Sequence, residues 1–297
     1  MAERASSLPP SSPGSHGLII PKTKDGRVVF LLPWLGSSVA GTTDAPTSLT
    51  HLPRPTAAEV DFILEALSDY LTVKPCRADV RSAWSGIRPL AADASKGSTE
   101  NITRDHVLTS DAGLVTITGG KWTTYRLMAQ DTVDHVVREG RLAHALPCST
   151  SGMRLAGAQG WHTDLPAEVF NSAAQLGLRE VDGPVASHLA HAYGGRAGEV
   201  LKLAAERQGR AGVRLVRDHP FLEAEVLFCA RAEFCATAVD FLARRSRLAF
   251  LDTDAAREAL PRVVRLLGDE LGWSRARRRS ELADGKSFIS TFTINAQ

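Results

Sequence analysis

Over the first third of the chain, apolar residues alternate or cluster in short runs, the pattern of sheet. Arg27 to Leu35 is the clearest run, and Lys24-Asp25-Gly26 before it is a turn signal. Val39 to Asp44, Asp79 to Trp84 and Leu114 to Thr118 are three further strand candidates. Between them Thr56-Ala-Ala-Glu59 fits a capping box, and Val60, Ile63, Leu64, Leu67 and Leu71 then recur at helical spacing. A second helix is expected from Thr123 to Val137, following Gly119-Gly120. Beyond residue 147 the strand pattern stops. Amphipathic helical stretches cover 166–176, 184–192, 196–208, 222–246 and 254–271, with Gly177, Gly183-Pro184, Gly194-Gly195 and His219-Pro220 between them. The pattern predicts an α+β chain, a β-rich part followed by an all-helical part, with the boundary near 140–160.

Composition narrows the classes. In 297 residues, 35 Lys+Arg balance 33 Asp+Glu to a formal charge of +2, against a nucleic-acid protein that works through a general basic field. No apolar run approaches the roughly 20 residues of a spanning helix. Cys76, Cys148, Cys229 and Cys235 form no CxxC pair, so neither a disulfide scaffold nor a zinc site is indicated, and no metal is expected. Residues 1–16, rich in Ser and Pro, are read as a disordered leader without the apolar core of a signal peptide.

The sharpest local feature is Gly119-Gly120-Lys121-Trp122-Thr123-Thr124, between a strand and a helix. Two glycines let a ligand approach the backbone, and a helix start offers free N–H groups to an anion. The spacing is not that of a Walker P-loop, and a plain strand–helix turn with a capping Thr fits equally well. Arg88, fixed in extended geometry by Pro89, suits bidentate phosphate or carboxylate binding, although a structural salt bridge is the commoner use. Arg104, in Ile102-Thr-Arg-Asp-His106, is a second candidate, for which an ordinary exposed Arg beside Asp105 is the commoner reading. If Arg88, Arg104 and Lys121 converge, they form a phosphate clamp. His188-x-x-His191 has helical spacing but no carboxylate nearby to complete a metal set, Cys229 and Cys235 read as core, and the Arg244-Arg245-Ser-Arg247 and Arg275 to Arg279 clusters read as solvated faces. No GxGxxG follows a strand, so no dinucleotide-binding βαβ unit is visible.

Longer motifs carry a resemblance. Pro21-Lys-Thr-Lys-Asp-Gly-Arg27, Leu32-Pro-Trp-Leu35, Ala40-Gly-Thr-Thr-Asp44, Ala83-Trp-Ser-Gly-Ile-Arg-Pro-Leu90, Ile102-Thr-Arg-Asp-His106 and Thr118 to Arg126 are similar to the FAD-dependent, quinone-linked glycerol-3-phosphate dehydrogenases of mitochondria. Gly212 to Val216, Thr237 to Asp240, Arg244 to Leu251 and Ala259 to Val264 extend it through the helical part. The resemblance implies a partial FAD/substrate domain over 17–145 and a helical C-terminal domain over 150–285. It implies oxidation of glycerol 3-phosphate to dihydroxyacetone phosphate, with hydride passing from C2 to flavin N5 and ubiquinone taking the electrons, in peripheral association with the mitochondrial inner membrane. It further implies that Arg88 and Arg104 hold the substrate phosphate or lie beside the flavin. Gly119, Gly120, Lys121, Trp122, Thr123 and Thr124 would face the FAD, with Lys121 also near substrate. The family's N-terminal flavin-binding glycines do not occur here, and His16 is too close to Pro21 to take the role of the family's substrate-site histidine. The chain therefore reads as a fragment or a paralogue, with a non-catalytic assembly module as the alternative and a phosphate-binding module without flavin as a third reading. In isolation residues 1–140 are expected to be loosely folded and 150–285 compact.

Overall fold

The computed structural model describes residues 2–8, 16–87, 91–92, 102–103, 105–206 and 212–294. It divides into two compact units. One comprises Ile87–Leu155, the other Ala2–Gly86 together with Ala156–Gln297.

The larger unit contains a five-stranded sheet built from β1 (Ala2–Leu8), β2 (Leu18–Ile20), β3 (Val29–Trp34), β4 (Ser37–Ala45) and β5 (Ser82–Ile87), in the order β2-β3-β4-β1-β5. The β3 and β4 pairing closes at Trp34↔Ser37 around Leu35 and Gly36, both left-handed, as a two-residue hairpin turn requires. The disordered leader expected over 1–16 is corrected over its first part. Ala2–Leu8 pairs antiparallel with β4 from Ala2↔Ala45 to Leu8↔Ser38. The N–H and C=O groups along β4 need partners, and an extended segment of almost any composition can supply them.

Helix α1 (Ala57–Ser68) follows the expected capping box: the Thr56 N–H donates to Glu59 Oε2 at 2.9 Å. Its buried face, Val60, Ile63, Leu64 and Leu67, packs with Ile20, Val29, Leu31, Ala40 and Ala83 of the sheet. The 2.0 and 3.6 periodicities thus meet in one small core.

The helices that follow are α3 (Leu165–Gln175), α4 (Gly183–Tyr193), α5 (Ala197–Glu206), α6 (Glu223–Ala232), α7 (Leu248–Leu251), α8 (Thr253–Glu270) and α9 (Arg275–Ser290), after α2 (Tyr125–Glu139) of the smaller unit. The stretch expected as one helix over 222–246 is broken. Helix α6 ends at Ala232, Phe234 turns left-handed, and Asp240–Arg245 forms a π-helical turn. Helix α9 was not anticipated, because its sequence is charged; it buries Glu281, Gly285 and Ile289.

The sheet and the helices of this unit share their packing. Trp34 and Trp84 pack with Phe250 at centroid separations of 6.5 and 5.1 Å, edge to face, and Phe250 packs on Phe292 at 4.8 Å. Ser82 Oγ donates to the Ala249 carbonyl at 2.8 Å, and the Ala83 N–H donates to that of Phe292 at 3.0 Å. Residues expected to belong with 113–145 in one partial domain are therefore grouped with the helices as far as Gly86. The reason is burial: the two indole rings have an aromatic surface to cover on the helical side.

The smaller unit holds β6 (Ala91–Ala92) paired with β7 (Ile102–Thr103), and β8 (His106–Asp111) paired with β9 (Leu114–Gly119). Ala112 and Gly113 both have positive φ, the signature of a tight hairpin turn between Asp111 and Leu114. Strand β8 was not anticipated. Among the described residues neither β9 nor α2 buries any side chain fully.

Candidate active site

Strand β9 runs out at Gly119, and the next two peptide units do not continue in either regular conformation. Gly119 has φ +74° and Gly120 φ +80°. Lys121 is extended, Trp122–Thr124 forms a 3₁₀ turn, and α2 begins at Tyr125. An L side chain would be strained at both glycines. A Cβ on Gly120 would also lie 2.6 Å from Met128 Sδ and 3.3 Å from His106 Cβ, so the bare backbone lets α2 settle onto the hairpin.

Two histidines of unit Ile87–Leu155 fix that arrangement. His106 Nε2 lies 3.0 Å from Asp131 Oδ2, joining β8 to α2, and His135 Nε2 lies 2.7 Å from Ser110 Oγ. Arg126 on α2 donates to Gln130 Oε1 at 2.8 Å and to Thr150 Oγ1 at 3.2 Å. His106, Met128 and Asp131 were missed by the sequence reading, since nothing in their spacing couples a strand to a helix 20 residues on.

The segment presents what an anionic or planar ligand requires. Thr124 Oγ1 donates to the Lys121 carbonyl at 3.1 Å and does not cap α2, while the Tyr125 N–H donates to the Trp122 carbonyl of the 3₁₀ turn before it. Lys121 and Thr123 are exposed. Trp122 is 88% exposed and stacks on Tyr125 at 6.0 Å. Left-handed glycines, an uncapped helix start and an exposed lysine fit a phosphate or the polar edge of a flavin. The structure thus brings Gly119, Gly120, Lys121, Trp122, Thr123 and Thr124 together on one turn. Arg88 and Arg104 lie outside the described residues, immediately after Ile87 and Thr103.

In the larger unit two hydroxyls of the quoted motifs, Thr43 Oγ1 and Ser85 Oγ, are buried without a hydrogen-bond partner. Buried polar groups normally find one. His188 and His191 do not act as a pair: His188 Nε2 meets Glu225 Oε2 at 2.7 Å, and His191 Nδ1 donates to the Ser187 carbonyl at 2.7 Å. Cys229 and Cys235 are buried, and burial pushes the Cys235 thiol up to about 12. Among the described residues no group of three metal-ligating side chains occurs, and no helix is long and apolar enough to cross a membrane.

Comparison with known proteins covers both parts. The FAD dependent oxidoreductase family matches residues 5–126, and the C-terminal domain of alpha-glycerophosphate oxidase matches 148–278. A mitochondrial glycerol-3-phosphate dehydrogenase of Arabidopsis thaliana is 53% identical over 297 residues, covering 96% of this chain and 47% of the relative. That of Mesocricetus auratus is 47% identical, and that of Homo sapiens 45%, each over 94% of this chain and 38% of the relative. The chain spans about half or less of the length of these curated relatives. Among solved structures, the FAD complex of glycerol-3-phosphate dehydrogenase from Bacillus halodurans superposes with a TM-score of 0.79 at 27% identity, covering 98% of this chain and 56% of that one. By sequence and by fold, the chain resembles the FAD-dependent glycerol-3-phosphate dehydrogenases.

Proposed function

We propose that this chain carries the substrate-phosphate and flavin-edge residues of an enzyme that oxidises sn-glycerol 3-phosphate to dihydroxyacetone phosphate and passes the electrons to a quinone. The observation that carries the reading is the turn at Gly119–Thr124, where left-handed glycines, a cation and an uncapped helix start coincide. FAD, when bound, supplies the two-electron acceptor. The Gly119 and Gly120 backbone admits its close approach, and Trp122, Thr123 and Thr124 border it. Lys121 offers a positive charge to the substrate oxygens. Arg88 and Arg104 hold the phosphate dianion, a task for which planar guanidinium forks are suited. The relatives' mitochondrial names support a mitochondrial location; association with the inner membrane and ubiquinone as acceptor are part of the proposal.

A second reading, a non-catalytic assembly module, is favoured by one observation. Leu114, Leu127, Val133 and Val136 remain exposed on β9 and α2, as on a surface made to pack against further protein.

An absorbance spectrum of the purified chain after incubation with FAD and removal of free flavin separates the two. The enzyme reading expects a retained flavin band, bleached by glycerol 3-phosphate and weakened by Lys121→Met. A colourless protein would leave the assembly module standing.

A further inference from the structure

The larger unit contains a cavity of about 700 Å³ that the proposed chemistry does not use. Its walls come from the β3–β4 turn, helix α4, the 218–221 loop and the stretch from Arg244 to Arg247. That volume suits a small organic ligand.

Four arginines reach it, and three are already committed. Arg81 lies 4.0 Å from Asp252, Arg244 2.7 Å from Asp240 and Arg245 3.6 Å from Glu233. Arg247 has no ion-pair or hydrogen-bond partner for its guanidinium among the described residues. A titratable group, His188, borders the same space. His188 is held toward its protonated form by Glu225 behind it, although burial and Arg247 both oppose this. Of the acidic groups lining the cavity, Glu225 and Glu233 are engaged by His188 and Arg245, and Asp218 is exposed. Among the described residues Arg247 is therefore the cation facing the cavity without a carboxylate partner, and His188 borders the same space with its Nε2 engaged by Glu225. Pro184, Tyr193, Phe221 and Leu251 form apolar wall, which lowers the local dielectric and strengthens attraction for an anion.

The backbone points the same way. The π-helical turn Asp240–Arg245 leads directly to Arg247, which sits left-handed at φ +59°. A non-glycine residue is strained in that conformation, and such strain gathers at functional sites.

We propose that this cavity is a second anion site, binding the phosphate group of a small phosphorylated molecule through the Arg247 guanidinium, with the His188 ring beside it as a further donor. The unpartnered guanidinium matches a phosphate oxygen pair, and the apolar wall receives the organic remainder. The residues are distinct from those of the Gly119–Thr124 turn.

The test is isothermal titration calorimetry of the full chain with inorganic phosphate at fixed ionic strength, in an R88Q/R104Q/K121Q background that silences the first phosphate site. Phosphate should bind, and Arg247→Gln and His188→Gln should each weaken it about tenfold or more. Arg247→Gly provides a readout that a structural role would not give: removing the strain should raise Tm while phosphate binding is lost. No binding in the background protein, or equal affinity in Arg247→Gln, would overturn the proposal.

Discussion

Glu225 accepts a hydrogen bond from His188 across the α4–α6 contact, Nε2 to Oε2 at 2.7 Å, with the carboxylate only 1% exposed. Tyr193 OH donates to the same oxygen at 2.8 Å, and the Leu222 N–H donates to Oε1 at 2.6 Å. Three of the roughly four acceptor directions of a buried carboxylate are thus used. Glu225→Ala strands an imidazole, a phenol and a backbone N–H together in a buried site, and is expected to cost about 3–5 kcal/mol. Urea denaturation followed by far-UV circular dichroism measures it; a loss under about 1 kcal/mol would contradict the network.

The same pair sets a pH dependence. Burial lowers the proton affinity of His188, the Glu225 carboxylate raises it by more, and Arg247 trims the gain, leaving the folded value above 6.5. The groups facing the ring are Glu225, Arg247 and, edge to face, Tyr193 and Phe221. A raised folded value means that the stabilisation is complete below the ordinary histidine range and is lost as pH rises through the folded value. Stability of the helical part should therefore fall on going above pH 6.5, and His188→Gln should remove that component. Denaturation midpoints across a pH series, wild type against variant, decide it.

Gly120→Ala addresses the flavin-edge turn. The Met128 thioether can swing aside, so the steric clash is cheap, and the left-handed φ of +80° carries the cost, about 1–2 kcal/mol. We expect weaker flavin retention together with faster amide exchange at the start of α2. Unchanged retention would detach the turn from cofactor binding.

Two backbone strands cross at the entry to the helical part. A Cβ on Gly194 would lie 2.1 Å from the Gly157 carbonyl oxygen, and one on Gly195 2.0 Å from that of Gln159. Backbone cannot swing aside as a thioether can. Gly194→Ala and Gly195→Ala should each cost upward of about 2 kcal/mol by overpacking. Gly177→Ala, at φ +72° with open space around it, should cost only its conformational strain, about 1 kcal/mol. Thermal melts of the three variants rank them; equal shifts would refute the close crossing.

Local rules made much of this legible. The capping box at Thr56–Glu59, the strand at Leu114 and the glycine turn at 119–120 depend on residues within a few positions of one another, and each stands where the periodicity placed it. The break of 222–246 escaped because no Gly or Pro interrupts the run; Phe234 turns left-handed only in the tertiary setting. Helix α9 escaped because its buried face is Glu281, Gly285 and Ile289, and Glu281 belongs inside only where the Ala238 N–H donates to it at 2.9 Å. The grouping of β5 with Phe250 and Phe292, the Met128 seat above Gly120, and the convergence of His188 and Arg247 on one cavity join residues far apart in the chain. The sequence by itself determined the elements, their caps and the chemistry available at each turn, since these follow from short-range sterics and hydrogen bonding. Which elements share a core, and which charges are left without a partner, was decided by the tertiary structure, because burial and Coulomb energy depend on distance in space and not on separation along the chain.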